Sequence, residues 1–259
     1  MNRVKQIAAG LALLAAVILL PAAAHAQVVS WTVDGVKREA LVFVPQKDPA
    51  PNKIPVIFAF HWHGGTMEQD AQIFHFQELW PEALVVYPQG LPTRPTIPND
   101  YGWQVAPGQQ DDRDMKFFDA ILSDLRKKFP IDDRRIYAAG FSNGSGLSFL
   151  MWGERAKTFA GFAIVAGRIA NGVQLTVPKP AYFVVGTMDP GFKEIMDSIN
   201  RVRVLDEATA LGKPCGEGCT EYPSTKSAPV TTYIHDHGHV YPLYVSDKFV
   251  AFFKEHSLD

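Results

Sequence analysis

Residues 135–144, Arg135-Ile136-Tyr137-Ala138-Ala139-Gly140-Phe141-Ser142-Asn143-Gly144, lead into Leu147-Ser148-Phe149-Leu150-Met151-Trp152. An apolar run, a serine between glycines and a second apolar run read as strand, tight turn and helix. Gly140 and Gly144 remove side chains where the turn and its neighbours must approach closely. A serine at the tip of such a turn exposes its hydroxyl at the head of the following helix, which suits a nucleophile. A bare Gly-x-Ser-x-Gly occurs in many unrelated chains, so the strand before it and the helix after it carry the weight.

The alternation of strand and helix extends outward from this turn. Upstream, residues 28–33 and 38–44 alternate about Asp34-Gly35 and predict a hairpin. A polar, proline-bearing loop covers 45–55. Residues 54–60 are short and almost continuously apolar, as in a parallel strand covered on both faces, and 84–87 repeat the pattern. Residues 91–110 carry Pro92, Pro95, Pro98, Gly102 and Pro107 with no helical period. They read as a long loop over the sheet, with Tyr101 and Trp103 as substrate-contacting aromatics or as loop anchors on the core. Asp114 reads as the cap of a helix to residue 129, with Phe118, Ile121, Leu122 and Leu125 on one face and Pro130 as its stop. Downstream of the serine come a helix over 146–157, strands over 162–166 and 181–185, a helix over 191–211, a strand over 230–234 and a helix over 245–256. This order predicts an α/β fold, an open and mostly parallel sheet with helices on both faces.

The chain has 259 residues and a formal net charge of −2. Arg3 and Lys5, the apolar residues 7–20 and the ending Ala24-His25-Ala26 form a secretory signal pattern that predicts cleavage after Ala26. An uncleaved membrane anchor is the alternative, since the apolar stretch nearly spans a bilayer. Residues 27–259 suit one catalytic domain with a full core, secreted or periplasmic, with no membrane association after signal removal. Lysines and arginines are dispersed without a basic stripe, so a nucleic-acid partner is not expected. In an exported protein the two cysteines, Cys215 and Cys219, read as a small disulfide pinning a surface loop, and two cysteines make a zinc site improbable.

Three further stretches supply chemistry. His61-Trp62-His63-Gly64-Gly65-Thr66 follows the strand 54–60, and its His-Gly-Gly turn is where such a fold places a backbone N–H for an oxyanion, at Gly64 or Gly65. Asp189 follows the strand 181–185. It fits a helix cap, and at the carboxyl end of a parallel strand it also faces the rim that holds Ser142. His235-Asp236-His237-Gly238-His239 follows the last strand. The order Ser, Asp, His is that of a hydrolytic triad, in which a histidine takes the serine proton and an aspartate orients the ring. His239 is the expected base, being latest in the loop, and His237 is second. The alternations His61/His63 and His235/His237/His239 leave a metal-dependent hydrolase as a rival reading, and a non-catalytic binding protein is another. The serine reading requires neither metal nor cofactor.

Gly-x-Ser-Asn-Gly, His-Gly-Gly, Gly-Thr-x-Asp and the closing Gly-His-x-x-Pro together resemble the polyhydroxybutyrate depolymerase and feruloyl esterase group of α/β-hydrolases, over nearly all of residues 27–259. The resemblance implies an α/β-hydrolase fold and a serine esterase with Ser142 as nucleophile, Asp189 as acid and His239 as base. It implies an oxyanion hole from the N–H groups of Asn143 and of Gly64 or Gly65. Ester substrates, small or oligomeric, would be phenolic or sugar esters or short polyhydroxyalkanoate oligomers. Two departures stand out: Ser145 replaces a usual glycine, and Trp62 precedes the His-Gly-Gly turn, where it could reshape the substrate pocket.

Overall fold

A computed structural model describes residues 25–45, 53–94 and 96–259. The hairpin β1 (His25–Val33) and β2 (Val36–Val44) is followed by β3 (Ile54–Phe60), the short helices α1 (Met67–Phe74) and α2 (Phe76–Leu79), and β4 (Leu84–Pro88). A two-stranded ribbon, β5 (Leu91–Pro92) and β6 (Tyr101–Gly102), lies within the proline-rich segment, and α3 (Arg113–Lys128) leaves it. Then come β7 (Ile131–Phe141), α4 (Asn143–Arg155), β8 (Gly161–Val165), β9 (Ala181–Gly186) and α5 (Phe192–Leu205). β10 (Lys213–Gly216), β11 (Cys219–Tyr222), β12 (Val230–His235) and α6 (Val245–Glu255) complete the order.

Ten strands form one sheet in the order β1-β2-β4-β3-β7-β8-β9-β12-β11-β10. The six from β4 to β12 are parallel, while the outer pairs are antiparallel. Alternation along each strand feeds two cores. Val56, Phe58 and Phe60 of β3 face α3, α4 and α5, whereas Ile57 and Ala59 face α1, α2 and α6. Trp152 stacks on Phe162 at 4.8 Å in the first core, and Tyr137 on Phe253 at 4.6 Å in the second. The chain is thus an α/β-hydrolase fold, and the carboxyl ends of its parallel strands meet along one rim.

Several boundaries differ from the sequence reading. Asp114 is not a cap: α3 begins at Arg113, and the Asp114 carboxylate is buried against Arg38 of β2 at 2.7 Å, which orders the start of α3 against the hairpin. The helix after Asp189 stops at Leu205, and β10 and β11 occupy a stretch with no strand prediction. The Cys215–Cys219 disulfide bridges those two strands beside their turn, at a Cα separation of 5.1 Å. The predicted signal segment lies outside the described residues apart from its last two positions, where β1 begins. No described helix is long and apolar enough to cross a membrane.

Candidate active site

Ser142 stands between β7 and α4 with φ 56° and ψ −113°, a backbone conformation that an L-residue adopts at a cost of about 1–3 kcal/mol. Its surroundings enforce the turn. The Ser142 N–H donates to the Val165 carbonyl at 2.9 Å. A Cβ on Gly144 would run into the carbonyl oxygen of Phe60, and one on Gly140 into Gly144 itself, so the two glycines let α4 start directly against the end of β3. Ser145, which stands where a glycine is usual, is fully buried; its Oγ lies 2.7 Å from both the Gly140 and the Val165 carbonyl oxygens and shares its one proton between them. It ties the helix start to both flanking strands, and Gly167 is obligatory opposite it because a Cβ there would collide with the Ser145 Cβ.

Asp189 and His239 come to this serine from the ends of β9 and β12. The Ser142 hydroxyl donates to His239 Nε2 at 2.7 Å, and His239 Nδ1–H donates to Asp189 Oδ2 at 2.6 Å. The other carboxylate oxygen of Asp189 accepts the Gly191 N–H at 2.7 Å, a turn just ahead of α5, whose cap position is Gly191 and not Asp189. The Asp189 side chain is 3 % exposed and that of His239 is 41 % exposed, which leaves an anchored carboxylate beneath an accessible ring. Phe141 packs on His239 at 5.4 Å between ring centres.

The first hydrogen bond of α4 runs from Gly146 N–H to Ser142 C=O, so the Asn143 N–H has no intrahelical partner. The Asn143 side chain clamps the covering loop: Oδ1 accepts the Trp103 N–H at 2.7 Å and the amide donates to the Trp103 carbonyl at 3.2 Å. The expected glycine donors across from it need correction. Gly64, at φ 82°, donates its N–H to the Tyr101 carbonyl at 2.7 Å, and Gly65 donates to the Trp62 carbonyl at 3.0 Å. Both groups are used to close the turn. The N–H groups of Trp62 and His63, just before it, carry no hydrogen bond among the described residues.

Of the aromatics, Trp103 is a loop anchor: it is 2 % exposed and its indole N–H donates to the His61 carbonyl at 2.9 Å. Tyr101 and Trp62 are half-buried and lie outside the cleft that opens beside Ser142. That cleft, about 930 Å³, is walled by the segment after β8, including Arg168 and Asn171, and by Glu194, Ile195 and Arg201 of α5. Its charged residues gave no motif in the sequence, because they are scattered over a loop and one face of a helix.

The alternating histidines do not form a common site. Among the described residues no three His, Cys, Asp or Glu side chains converge as a metal-binding group. His61 is fully buried and burial lowers its pKa to about 4; Nδ1–H donates to the Trp62 carbonyl at 2.7 Å and Nε2 accepts the Gly90 N–H at 2.9 Å. Burial also lowers the pKa of His235, and its Nδ1 accepts the His237 N–H at 3.2 Å.

No family model matches the chain. It is 28% identical over 161 residues to a probable feruloyl esterase C of Aspergillus niger, covering 59% of this chain and 55% of that protein. It is 27% identical over 218 residues to a probable feruloyl esterase C of Aspergillus oryzae, covering 78% of this chain and 76% of that one. Among solved structures, an acetyl xylan esterase from Aspergillus awamori superposes with a TM-score of 0.68 at 14% identity, over 89% of this chain and 99% of that chain. The chain therefore spans little more than half the length of the first of these relatives, and about three quarters of the second. The chain is thus similar in sequence to proteins named feruloyl esterase and shares the α/β-hydrolase fold of the solved esterase.

Proposed function

We propose that the chain is a serine carboxylic ester hydrolase acting through an acyl-serine intermediate. The observation that supports it is the continuous hydrogen-bonded path from Asp189 through His239 to Ser142, ending on a serine held at positive φ. A serine hydroxyl is a poor nucleophile near neutral pH. His239 Nε2 takes its proton as Oγ attacks the ester carbonyl carbon, and Asp189 stabilises the imidazolium that forms. The carbonyl oxygen becomes an oxyanion facing the Asn143 N–H and an N–H of Trp62 or His63. His239 returns the proton to the departing alcohol. Water then attacks the acyl-serine with His239 again as base, and the carboxylic acid leaves.

The relatives named feruloyl esterase and the acetyl xylan esterase neighbour support esters of phenolic acids or of acetylated sugars as substrates, with hydroxyalkanoate oligomers a further class. Action is outside the cytoplasm, in periplasm or medium. The N-terminal pattern and the Cys215–Cys219 bridge support that, since disulfides persist in oxidising compartments. Cleavage after Ala26 leaves β1 paired with β2 from Gln27 onward. A fluorophosphonate probe tests the chemistry: it labels the purified protein and fails to label Ser142→Ala, whereas an unlabelled wild type removes the serine hydrolase reading.

A further inference from the structure

The cleft beside Ser142 has an uneven charge supply. Glu194, Ile195, Ser198 and Arg201 fall on one face of α5 by their spacing of three and four. The buried Ser198 hydroxyl donates to the Glu194 carbonyl at 2.8 Å and accepts the Ile169 N–H at 3.1 Å, which fixes the loop after β8 against the helix. Arg168 of that loop and Arg201 of the helix line the same cleft.

Among the described residues neither guanidinium has an ion pair or a hydrogen bond, and both residues are exposed to solvent at the cleft. Every other described arginine donates to a carboxylate or a carbonyl oxygen, so the two without partners are the two that line the cleft. The carboxylates nearby do not neutralise them. Asp189 is committed to His239 and Gly191, and Asp197 pairs with Lys193 at 2.7 Å. Among the described residues that line the cleft only Glu194 stands free, one negative charge against two positive. The cleft wall includes no Phe, Tyr or Trp, and its one aromatic ring is that of His239. What the wall offers is a pair of planar, permanently charged forks suited to a carboxylate.

We propose that the cleft binds a carboxylate carried by the ester substrate, with Arg168 and Arg201 as its specificity-determining residues; this rests on the esterase reading above. At about 930 Å³ the space admits a unit the size of a sugar residue. The carboxylate belongs either to the alcohol part, as in an esterified uronate, or to the acyl part, as in the half-ester of a dicarboxylic acid.

Matched pairs of esters that differ in one carboxylate separate these sources. Acetylated methyl glucuronoside is set against acetylated methyl glucoside for the alcohol side, and monomethyl adipate against methyl hexanoate for the acyl side. In the wild type, kcat/KM for the charged member exceeds that of its neutral partner by about tenfold or more in one pair, the arithmetic of one charge-assisted contact. In Arg168→Gln/Arg201→Gln that ratio falls to near one, and in the wild type it shrinks as salt is raised. A wild-type ratio near one in both pairs overturns the proposal, and so does a preference that persists in the double variant. The fluorophosphonate probe keeps the two levels apart. Labelling of Ser142 with no charge preference sinks the anion site alone, and no labelling with no hydrolysis of any ester sinks both.

Discussion

The two histidine-bearing turns of the rim begin alike and end opposite. His61 follows β3, an interior strand of the sheet, and the loop from Gln89 to Trp103 closes over it: Gly90 donates to its ring, and Trp103 lies 4.7 Å from it, ring centre to ring centre. His239 follows β12, which has only the short β11–β10 hairpin beyond it, and its ring stays 41 % exposed over Ser142. Both rings use both nitrogens. One spends them on backbone and is fixed as a neutral strut; the other spends them on a carboxylate and a hydroxyl. The position of the parent strand and the loop above it decide which histidine does which, since the residue type is the same.

The largest effect that would sharpen this contrast is on His239→Ala. With no base, kcat on an activated ester falls by about 10³–10⁴-fold or more, while the melting temperature stays close to wild type because the side chain is exposed. A variant that keeps activity within tenfold while remaining folded would break the assignment of the base.

His61 is expected to behave in the reverse way, with stability as the readout. His61→Gln disturbs buried hydrogen bonds and costs about 1–3 kcal/mol near neutral pH. It also removes a proton linkage whose sign follows from the burial. The unfolded chain takes up a proton on this ring at an ordinary pKa near 6.5, and the folded protein resists until about pH 4. The folded state is therefore fully favoured above pH 6.5 and loses about 3 kcal/mol as pH falls to about 4. Asp206, whose carboxyl burial pushes up to about 8, works in the opposite direction over the same range, and Asp70 likewise. The wild-type curve alone does not isolate the histidine. The unfolding free energy of wild type minus that of His61→Gln does: it falls by about 2 kcal/mol between pH 6.5 and 4.5. A difference independent of pH would mean that the ring is charged in the folded protein and that the turn is held another way.

What the sequence disclosed follows the same division between local and distant causes. The serine turn was legible because strand, glycines and helix are contiguous and need one another. Asp189 and His239 were legible through chain order, since each sits just past a readable strand. Asp114 was misread because its capping role was plausible locally, while the buried Arg38 that claims it comes from the first hairpin. The His-Gly-Gly motif points to Gly64 and Gly65 as oxyanion donors, yet the turn they form uses up their N–H groups. Trp103 read equally as a substrate wall or an anchor, and only the packing of the loop on His61 decides for the anchor. Arg168 and Arg201 carried no signal at all: what makes them notable is the lack of a partner, a property of the folded arrangement.

His237 provides the smallest effect and the most discriminating one. It lies two residues before His239, shares its alternation, and is the second histidine that the sequence offers as base. Its side chain is 64 % exposed, with Asp236 at 3.5 Å and the His235 ring at 5.7 Å between ring centres, while its backbone carbonyl accepts the Met188 N–H at 3.1 Å. That bond, with the His237 N–H on His235, is made by the main chain and survives truncation of the side chain. His237→Ala is thus expected to change kcat/KM by no more than about twofold and stability by no more than about 0.5 kcal/mol, the usual range for an exposed position. A loss of activity matching that of His239→Ala would mean that the loop rearranges to bring His237 over Ser142 during turnover. The contrast between a buried strut and a mobile base would then lie within one loop, and no longer between two strand ends.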